Sequence, residues 1–169
     1  MNLKQFEINI ENVKKQTPEI YKKSMLSSVP FFILHKKIYE EGETLILKEC
    51  NINQSELDVL ASLYYVSDGS YTLSPTQLYD IMLFSSGGMT KLLKKLETNE
   101  FIERVENKED KRSKLVKITT KGIAITIKAL KGIISLEDEY FSKLDDQEQE
   151  LFIKLIYKML NEIKANNVK

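Results

Sequence analysis

The sequence predicts a mostly α-helical chain that carries one small β-hairpin. Only 6 Gly and 3 Pro occur in 169 residues, which favours long helices over a turn-rich β protein. In several places a capping-box pattern is followed by apolar residues at helical spacing. Residues 101–119, in contrast, change to the alternation that is typical of paired strands. We therefore expect helices on either side of one lobe that ends in a hairpin.

These patterns divide the chain into four segments. Residues 1–16 are weakly patterned and are expected to form a loose arm. Residues 17–50 start at Thr17-Pro18-Glu19, a helix-start pattern, and Pro30 inside the segment predicts a kink or two helices. Residues 51–121 form the lobe. Residues 122–169 contribute two helices, and the broad apolar face of the last one predicts that the segments flanking the lobe serve for dimerisation.

The lobe has the order helix, short helix, turn, basic helix and hairpin. Capping boxes at residues 53–56 and 74–77 start its first two helices. The inward residues of the third helix, which is predicted from Ser86 to Asn99, are Met89, Leu92, Leu93 and Leu96. This order is typical of a winged helix-turn-helix, in which one helix fits the major groove of DNA.

The distribution of charge is uneven although the net charge of the chain is zero. Residues 85–121 hold 10 basic and 6 acidic residues, whereas the segments before and after carry a small acidic excess. Basic residues concentrated in one stretch are typical of a surface that binds phosphates. A solvated surface of mixed charge would show the same modest excess, so the charge alone leaves both interpretations open.

The third helix of the lobe carries the first set of candidate DNA contacts. The face opposite its apolar stripe holds Gly87, Thr90, Lys91 and Lys94. The lysines can reach phosphates or a guanine edge, and the threonine can touch a phosphate or a thymine methyl. Taken alone, these residues also fit an ordinary surface helix with solvated lysines.

The hairpin tip carries the second set. Its charged residues include Lys108, Asp110, Lys111 and Arg112. The narrow minor groove of DNA favours a guanidinium such as that of Arg112. The Asp110 carboxylate can accept a hydrogen bond from Arg112 or from a neighbouring base and so fix the direction of the arginine side chain. A hairpin loop of mixed charge is the alternative interpretation.

Several stretches of the lobe together form a recognisable pattern. They are residues 52–60, 74–78, 85–91 with Leu96-Glu97, 101–104 and, most specifically, Asp110-Lys111-Arg112-Ser113-Lys114-Leu115-Val116 followed by Ile118-Thr119-Thr120-Lys121-Gly122. With these residues the chain, from about Val29 to its C-terminus, resembles the MarR family of transcription regulators. It departs from the family at Asn99-Glu100, where a glycine usually follows the third helix.

The resemblance implies a triangular homodimer that presents two winged lobes to a pseudo-palindromic DNA operator. It implies that Arg112 lies at the minor groove. The residues that it places at the major groove are Ser86, Gly87, Met89, Thr90, Lys91 and Lys94.

Two further features are candidates for regulation. The aromatic residues that could line an effector pocket between the dimerisation helices and the lobe are Phe31, Phe32, Tyr39, Tyr64 and Tyr65. Aromatic residues at this spacing are also typical of a core. Cys50 is the only cysteine, so an intrachain disulfide is impossible and a reducing compartment is favoured. Cys50 is also a candidate oxidant sensor, although its sequence neighbours give no clear setting that would stabilise a thiolate.

The same survey argues against other classes of protein. His35 and Cys50 alone cannot supply a zinc site, and no phosphate-loop, nucleophile-elbow or metal motif occurs, so we expect no cofactor, no metal and no enzymatic activity. The N-terminus lacks the apolar core of a signal peptide, which predicts a cytoplasmic protein. We interpret the chain as a sequence-specific regulator of double-stranded DNA, a repressor relieved by a small ligand or oxidant. The alternative is a winged-helix protein-interaction module without DNA binding.

Overall fold

The computed structural model describes residues 3–66, 69–82, 88–108, 110 and 113–166. Within them the fold is mostly helical with one small antiparallel sheet, as the sequence predicts. The elements are α1 (Leu3–Gln16), α2 (Met25–Cys50), α3 (Gln54–Tyr65), β1 (Thr72–Leu73), α4 (Pro75–Ile81), α5 (Met89–Thr98), β2 (Ile102–Glu106), β3 (Lys114–Ile118), α6 (Thr120–Phe141) and α7 (Asp146–Asn166). None of the described helices combines the length and the apolar content that are needed to cross a membrane.

The N-terminal segment is a helix rather than a loose arm. Phe6 and Ile10 lie one turn apart on α1 and are buried, with 7 % and 5 % of their surface exposed. Two apolar side chains at this spacing give the helix a face to bury. The prediction of a loose arm from the weak pattern is therefore wrong for the described part of the segment.

The next helix starts later than the sequence suggests. Thr17 follows the end of α1, where its hydroxyl donates to the Val13 carbonyl at 3.4 Å, and α2 begins only at Met25. Pro30 lies inside α2 near its start, and the helix continues as one element to Cys50. Proline removes one backbone donor, which one long helix tolerates here without dividing into two.

The capping boxes that begin α3 and α4 both form. The backbone N–H of Asn53 donates to the Glu56 side chain, and the backbone N–H of Glu56 donates to the Asn53 side chain, both at 2.9 Å. Ser74 and Gln77 form the same pair of hydrogen bonds at 2.8 and 3.1 Å. The core of the lobe consists of apolar side chains from all of its helices and from the sheet. Its most deeply buried members include Ile52, Leu57, Leu60, Leu63, Leu78, Leu93, Leu96 and Val116.

The sheet has the order β1-β3-β2, so β3 is the central strand. In the hairpin, Ile102 lies opposite Ile118 and Arg104 opposite Val116. Val116 and Ile118 are buried, as the alternating pattern of this strand predicts. The two-residue strand β1, which pairs with β3, is an addition to the predicted hairpin.

The junction between the lobe and α6 is unusually close. The backbone N–H of Thr119 donates to the Phe101 carbonyl at 3.0 Å, and its hydroxyl donates to the Glu100 carbonyl at 2.7 Å. Glu100 has φ of 60°, the left-handed conformation that favours glycine. Its carboxylate accepts a hydrogen bond from Lys121 at 2.9 Å, which holds the pKa of this exposed carboxyl below its usual value.

The chain divides into two units between Gly132 and Ile133, inside α6. In the first unit α6 buries its small residues Gly122, Thr126 and Ala129. In the second unit the predicted capping box of Asp145 and Glu148 forms, with hydrogen bonds of 3.0 and 2.9 Å. The apolar residues of α7 that stay about half exposed are Leu151, Ile153, Leu155, Tyr157, Met159 and Leu160.

Replacement of Gly122 by alanine should destabilise the lobe by about 1–3 kcal/mol. A Cβ at this position would overlap the Phe101 carbonyl oxygen and come within 2.7 Å of the Ile118 side chain, and the carbonyl cannot move without breaking its hydrogen bonds. Urea denaturation measures the loss. The matched control is Gly88→Ala, where an added Cβ meets nothing within 4 Å and the change should stay under about 1 kcal/mol. Equal effects of the two substitutions would contradict this account of the junction.

Candidate nucleic-acid interface

Helix α5 has one buried face and one exposed basic face. Met89, Leu93 and Leu96 are at most 2 % exposed and attach the helix to the lobe. The side chains of Thr90, Lys91 and Lys94 are exposed. Among the described residues, no carboxylate lies within 4.0 Å of either of these two lysines. Their ammonium groups are therefore available for phosphates or base edges.

The position of Met89 differs from what the family resemblance implies. The resemblance places this residue at the major groove, but its side chain is 2 % exposed and belongs to the core. The helical spacing of Met89 with Leu93 and Leu96 already indicates an inward residue. We therefore remove Met89 from the candidate contact surface.

A third lysine of α5 has a different environment. The Nζ atom of Lys95 lies 2.7 Å from Oε1 of Glu56, whose side chain is fully buried in α3. A buried carboxylate needs a charge partner, and Lys95 supplies it across the interface between α5 and α3. The sequence pattern predicts only a capping-box role for Glu56 and no role for Lys95. The two residues are far apart in the sequence, and no local pattern links them.

The tip of the hairpin is stabilised by its own hydrogen bonds. Ser113 donates from its backbone N–H to the Asp110 carbonyl at 3.0 Å, and Asn107 donates from its side-chain amide to the Ser113 hydroxyl at 3.0 Å. Lys108 and Asp110 are exposed. The described part of the tip thus presents the charged side chains of Lys108 and Asp110, and a backbone hydrogen bond links Asp110 to Ser113.

Four of the candidate contact residues lie outside the described part of the chain. They are Ser86, Gly87, Lys111 and Arg112. Their contact with DNA stays a sequence-based prediction.

The five aromatic candidates lie on two helices, α2 and α3. Phe31 and Phe32 contact each other on α2 with ring centroids 5.8 Å apart, and Tyr64 contacts Tyr65 on α3 at 4.8 Å. Tyr39, also on α2, stacks with the ring of His35 at 6.1 Å. Tyr65 is the one candidate that lines a pocket of about 330 Å³ between α3 and the end of α4.

The pocket beside Tyr65 combines apolar walls with one acid. Val66, Ile81 and Met82 supply apolar surface, and Asp58 supplies the carboxylate. Burial raises the pKa of the Asp58 carboxyl. The Gln54 side-chain amide donates a hydrogen bond of 2.9 Å to Oδ1 of Asp58, which lowers this pKa by a smaller amount. This pocket is therefore suited to a small apolar molecule that carries a positive charge or a hydrogen-bond donor.

The environment of Cys50 does not favour a reactive thiol. The Cys50 side chain is buried, and burial raises the pKa of its thiol, so the reactive thiolate is disfavoured at neutral pH. In the described ranges, no three His, Cys, Asp or Glu side chains form a group that could hold a metal ion.

A helical lobe with an exposed basic helix beside an antiparallel hairpin defines the winged helix-turn-helix class. Comparisons with known proteins identify the family more closely. Residues 52–114 match the model of the MarR family. The transcriptional regulator HosA of Escherichia coli O157:H7 is 29 % identical over 84 residues, which cover 50 % of this chain and 62 % of HosA. The regulator MhqR of Bacillus subtilis is 27 % identical over 132 residues, covering 76 % of this chain and 88 % of MhqR.

The solved structures agree on the fold. MarR of E. coli in complex with operator DNA superimposes with a TM-score of 0.61 at 24 % identity, covering 82 % of this chain and 99 % of MarR. Together these findings support the MarR family: the match to the family model covers residues 52–114, and the solved structures share the fold. The match to HosA spans less than two thirds of that regulator. The activity and partners of HosA are therefore not carried over to this chain.

Proposed function

We propose that this chain is a transcription regulator that binds double-stranded DNA in a sequence-specific manner. The observation that carries the proposal is the exposed face of α5, where Thr90, Lys91 and Lys94 project from a helix whose opposite face is fixed in the core. Such a helix fits the major groove, and its side chains can divide their contacts between phosphates and base edges. The solved structure of MarR with operator DNA, which has the same fold, supports the proposal that this chain binds DNA.

The hairpin extends the proposed contact to the minor groove. Lys108 and Asp110 are exposed at its tip. Arg112 is the residue whose guanidinium would enter the minor groove, and we assign it this role on the sequence and the family resemblance.

We further propose that the chain acts as a homodimer formed by the segments on either side of the lobe. Each of these segments carries apolar side chains that are exposed in the single chain. Phe31 and Phe32 on α2 are 44 % and 65 % exposed, and Leu151, Leu155 and Met159 on α7 are each at least 50 % exposed. Apolar faces of this extent are typical of surfaces that a partner covers.

The exposed face of α5 predicts different effects for substitutions of Lys91 and Lys94. Lys94 lies one turn into the helix and is assigned to a phosphate, so Lys94→Ala should weaken binding to all duplexes and reduce the slope of log K against log salt by about one per protomer. Lys91 lies nearer the N-terminus, which usually meets the bases, so Lys91→Ala should relax the preference at one base pair of each half-site. The probe is a duplex that the unmodified chain enriches from a randomised pool, and fluorescence anisotropy across a salt series measures both effects.

Three results would contradict this assignment. An unchanged salt slope in Lys94→Ala would remove Lys94 from the phosphate contacts. Equal weakening of all sequences by Lys91→Ala would remove Lys91 from base reading. Failure of the unmodified chain to enrich any sequence would favour the alternative function, a protein-interaction module without DNA binding.

The exposed apolar faces predict a dimer at micromolar concentration. Sedimentation equilibrium should give about twice the 19.6 kDa mass of the chain. Leu155→Lys and Met159→Lys place charges on the half-exposed face of α7 and should shift the equilibrium towards monomer, whereas a lysine at the exposed polar position Glu150 should not. A species of about 20 kDa for the unmodified chain would refute the dimer.

We also propose that a small cationic molecule relieves repression by binding in the pocket of Asp58 and Tyr65. Phenethylamine should bind with Kd on the order of 1 mM, whereas phenylacetate, of similar size and opposite charge, should not. Amine binding should strengthen as the pH rises through the raised pKa of Asp58, because the carboxylate then ionises. Asp58→Asn should abolish the preference for the amine, as measured by calorimetry, and Asp80→Asn is the control outside the pocket lining. Equal binding of the two probes, or amine binding without loss of DNA affinity, would count against this effector class.

A further inference from the structure

Each of the two carboxylate oxygens of Glu56 has a different polar contact. Glu56 is the third residue of α3, and its side chain is fully buried. Oε2 accepts a hydrogen bond of 2.9 Å from the backbone N–H of Asn53. Oε1 lies 2.7 Å from Lys95 Nζ in an ion pair, and it accepts no hydrogen bond from the described residues. One carboxylate thus joins the start of α3 to the middle of α5.

This ion pair holds α5 in a way that its apolar contacts do not. Met89, Leu93 and Leu96 bury area, and the resulting hydrophobic attraction is largely non-directional. The Glu56 oxygen, in contrast, is removed from water, so any movement that takes Lys95 away leaves a buried negative charge without an oppositely charged partner. A small roll of α5 about its axis is therefore opposed by the pair of Glu56 and Lys95 in addition to the packing of its apolar face.

The roll of α5 decides where its exposed side chains lie. Successive residues of a helix are about 100° apart around its axis, so fixing Lys95 also fixes the direction of Lys94 and Lys91. Resting on the DNA-binding function proposed above, we propose that Glu56 is a positioning residue for DNA recognition. Through Lys95 it sets the rotation of α5, and thereby the base preference, without touching DNA itself.

The test compares variants that break the pair with variants that keep it. Glu56→Gln removes the charge but keeps an oxygen for the capping bond to Asn53, and Lys95→Met removes the other partner. Lys95→Arg retains a positive charge at the same site. Asn53→Ala removes one hydrogen bond of the capping box and leaves the pair intact, so it controls for loss of stability alone.

The measurement is the ratio of affinities for two duplexes of equal length and composition. One duplex is enriched by the unmodified chain from a randomised pool, and the other is its scrambled sequence. Affinities are read by fluorescence anisotropy at a temperature at which urea denaturation shows every variant to be folded. Lys95→Met alters a half-exposed side chain, so it tests the pair even if Glu56→Gln fails to fold.

We expect the ratio to fall about tenfold in Glu56→Gln and in Lys95→Met, and no further in the double variant, because both changes remove the same interaction. Lys95→Arg and Asn53→Ala should keep the ratio within about threefold of the unmodified chain. An unchanged ratio in a folded Lys95→Met variant would overturn the proposal. So would equal weakening of both duplexes with a smaller salt slope, since Lys95 would then be a direct phosphate contact. If the unmodified chain enriches no sequence, the proposed function itself fails, and the positioning role fails with it.

Discussion

The lobe depends on the close approach between the first turn of α6 and the carbonyl of Phe101. This is the point where the end of α5, the start of β2 and the start of α6 meet. The Thr119 backbone and hydroxyl donate to the carbonyls of Phe101 and Glu100, and Gly122 leaves room for this approach because it has no Cβ. Backbone atoms, which have little freedom to rearrange, therefore fix the base of the hairpin against the end of α5. A change here would alter both proposed DNA contacts at once.

Features that are encoded within a few neighbouring residues could be predicted from the sequence. The capping boxes at Asn53, Ser74 and Asp145 each place both partners within one turn, so the pattern contains the whole interaction. The absence of the family's usual glycine at Asn99-Glu100 is also visible within a few neighbouring residues. Glu100 adopts the left-handed conformation that a glycine would take more easily, and Lys121 and Thr119 hold it there.

Features that depend on contacts between distant segments could not be predicted. The strand β1 has only two residues, and it is a strand only because Thr72 and Leu73 pair with β3. Helix α1 looked unpatterned because Phe6 and Ile10 give only a narrow apolar face. The excess of basic residues in the stretch 85–121 likewise does not indicate which lysines are paired: Lys95 forms an ion pair with the buried Glu56, whereas Lys91 and Lys94 are exposed. Sequence composition gives the number of charges, but only packing decides which of them are already used.

The two faces of α5 have different tolerances for change during evolution. Thr90, Lys91 and Lys94 contribute nothing to the core, so substitutions among them leave the fold intact. Met89, Leu93 and Leu96 cannot vary so freely, because each fills space that no other side chain occupies. After duplication of its gene, such a protein could acquire a new DNA target through a few surface substitutions while both copies continue to fold. The same division between a fixed face and a variable face offers a direct route to libraries of altered specificity.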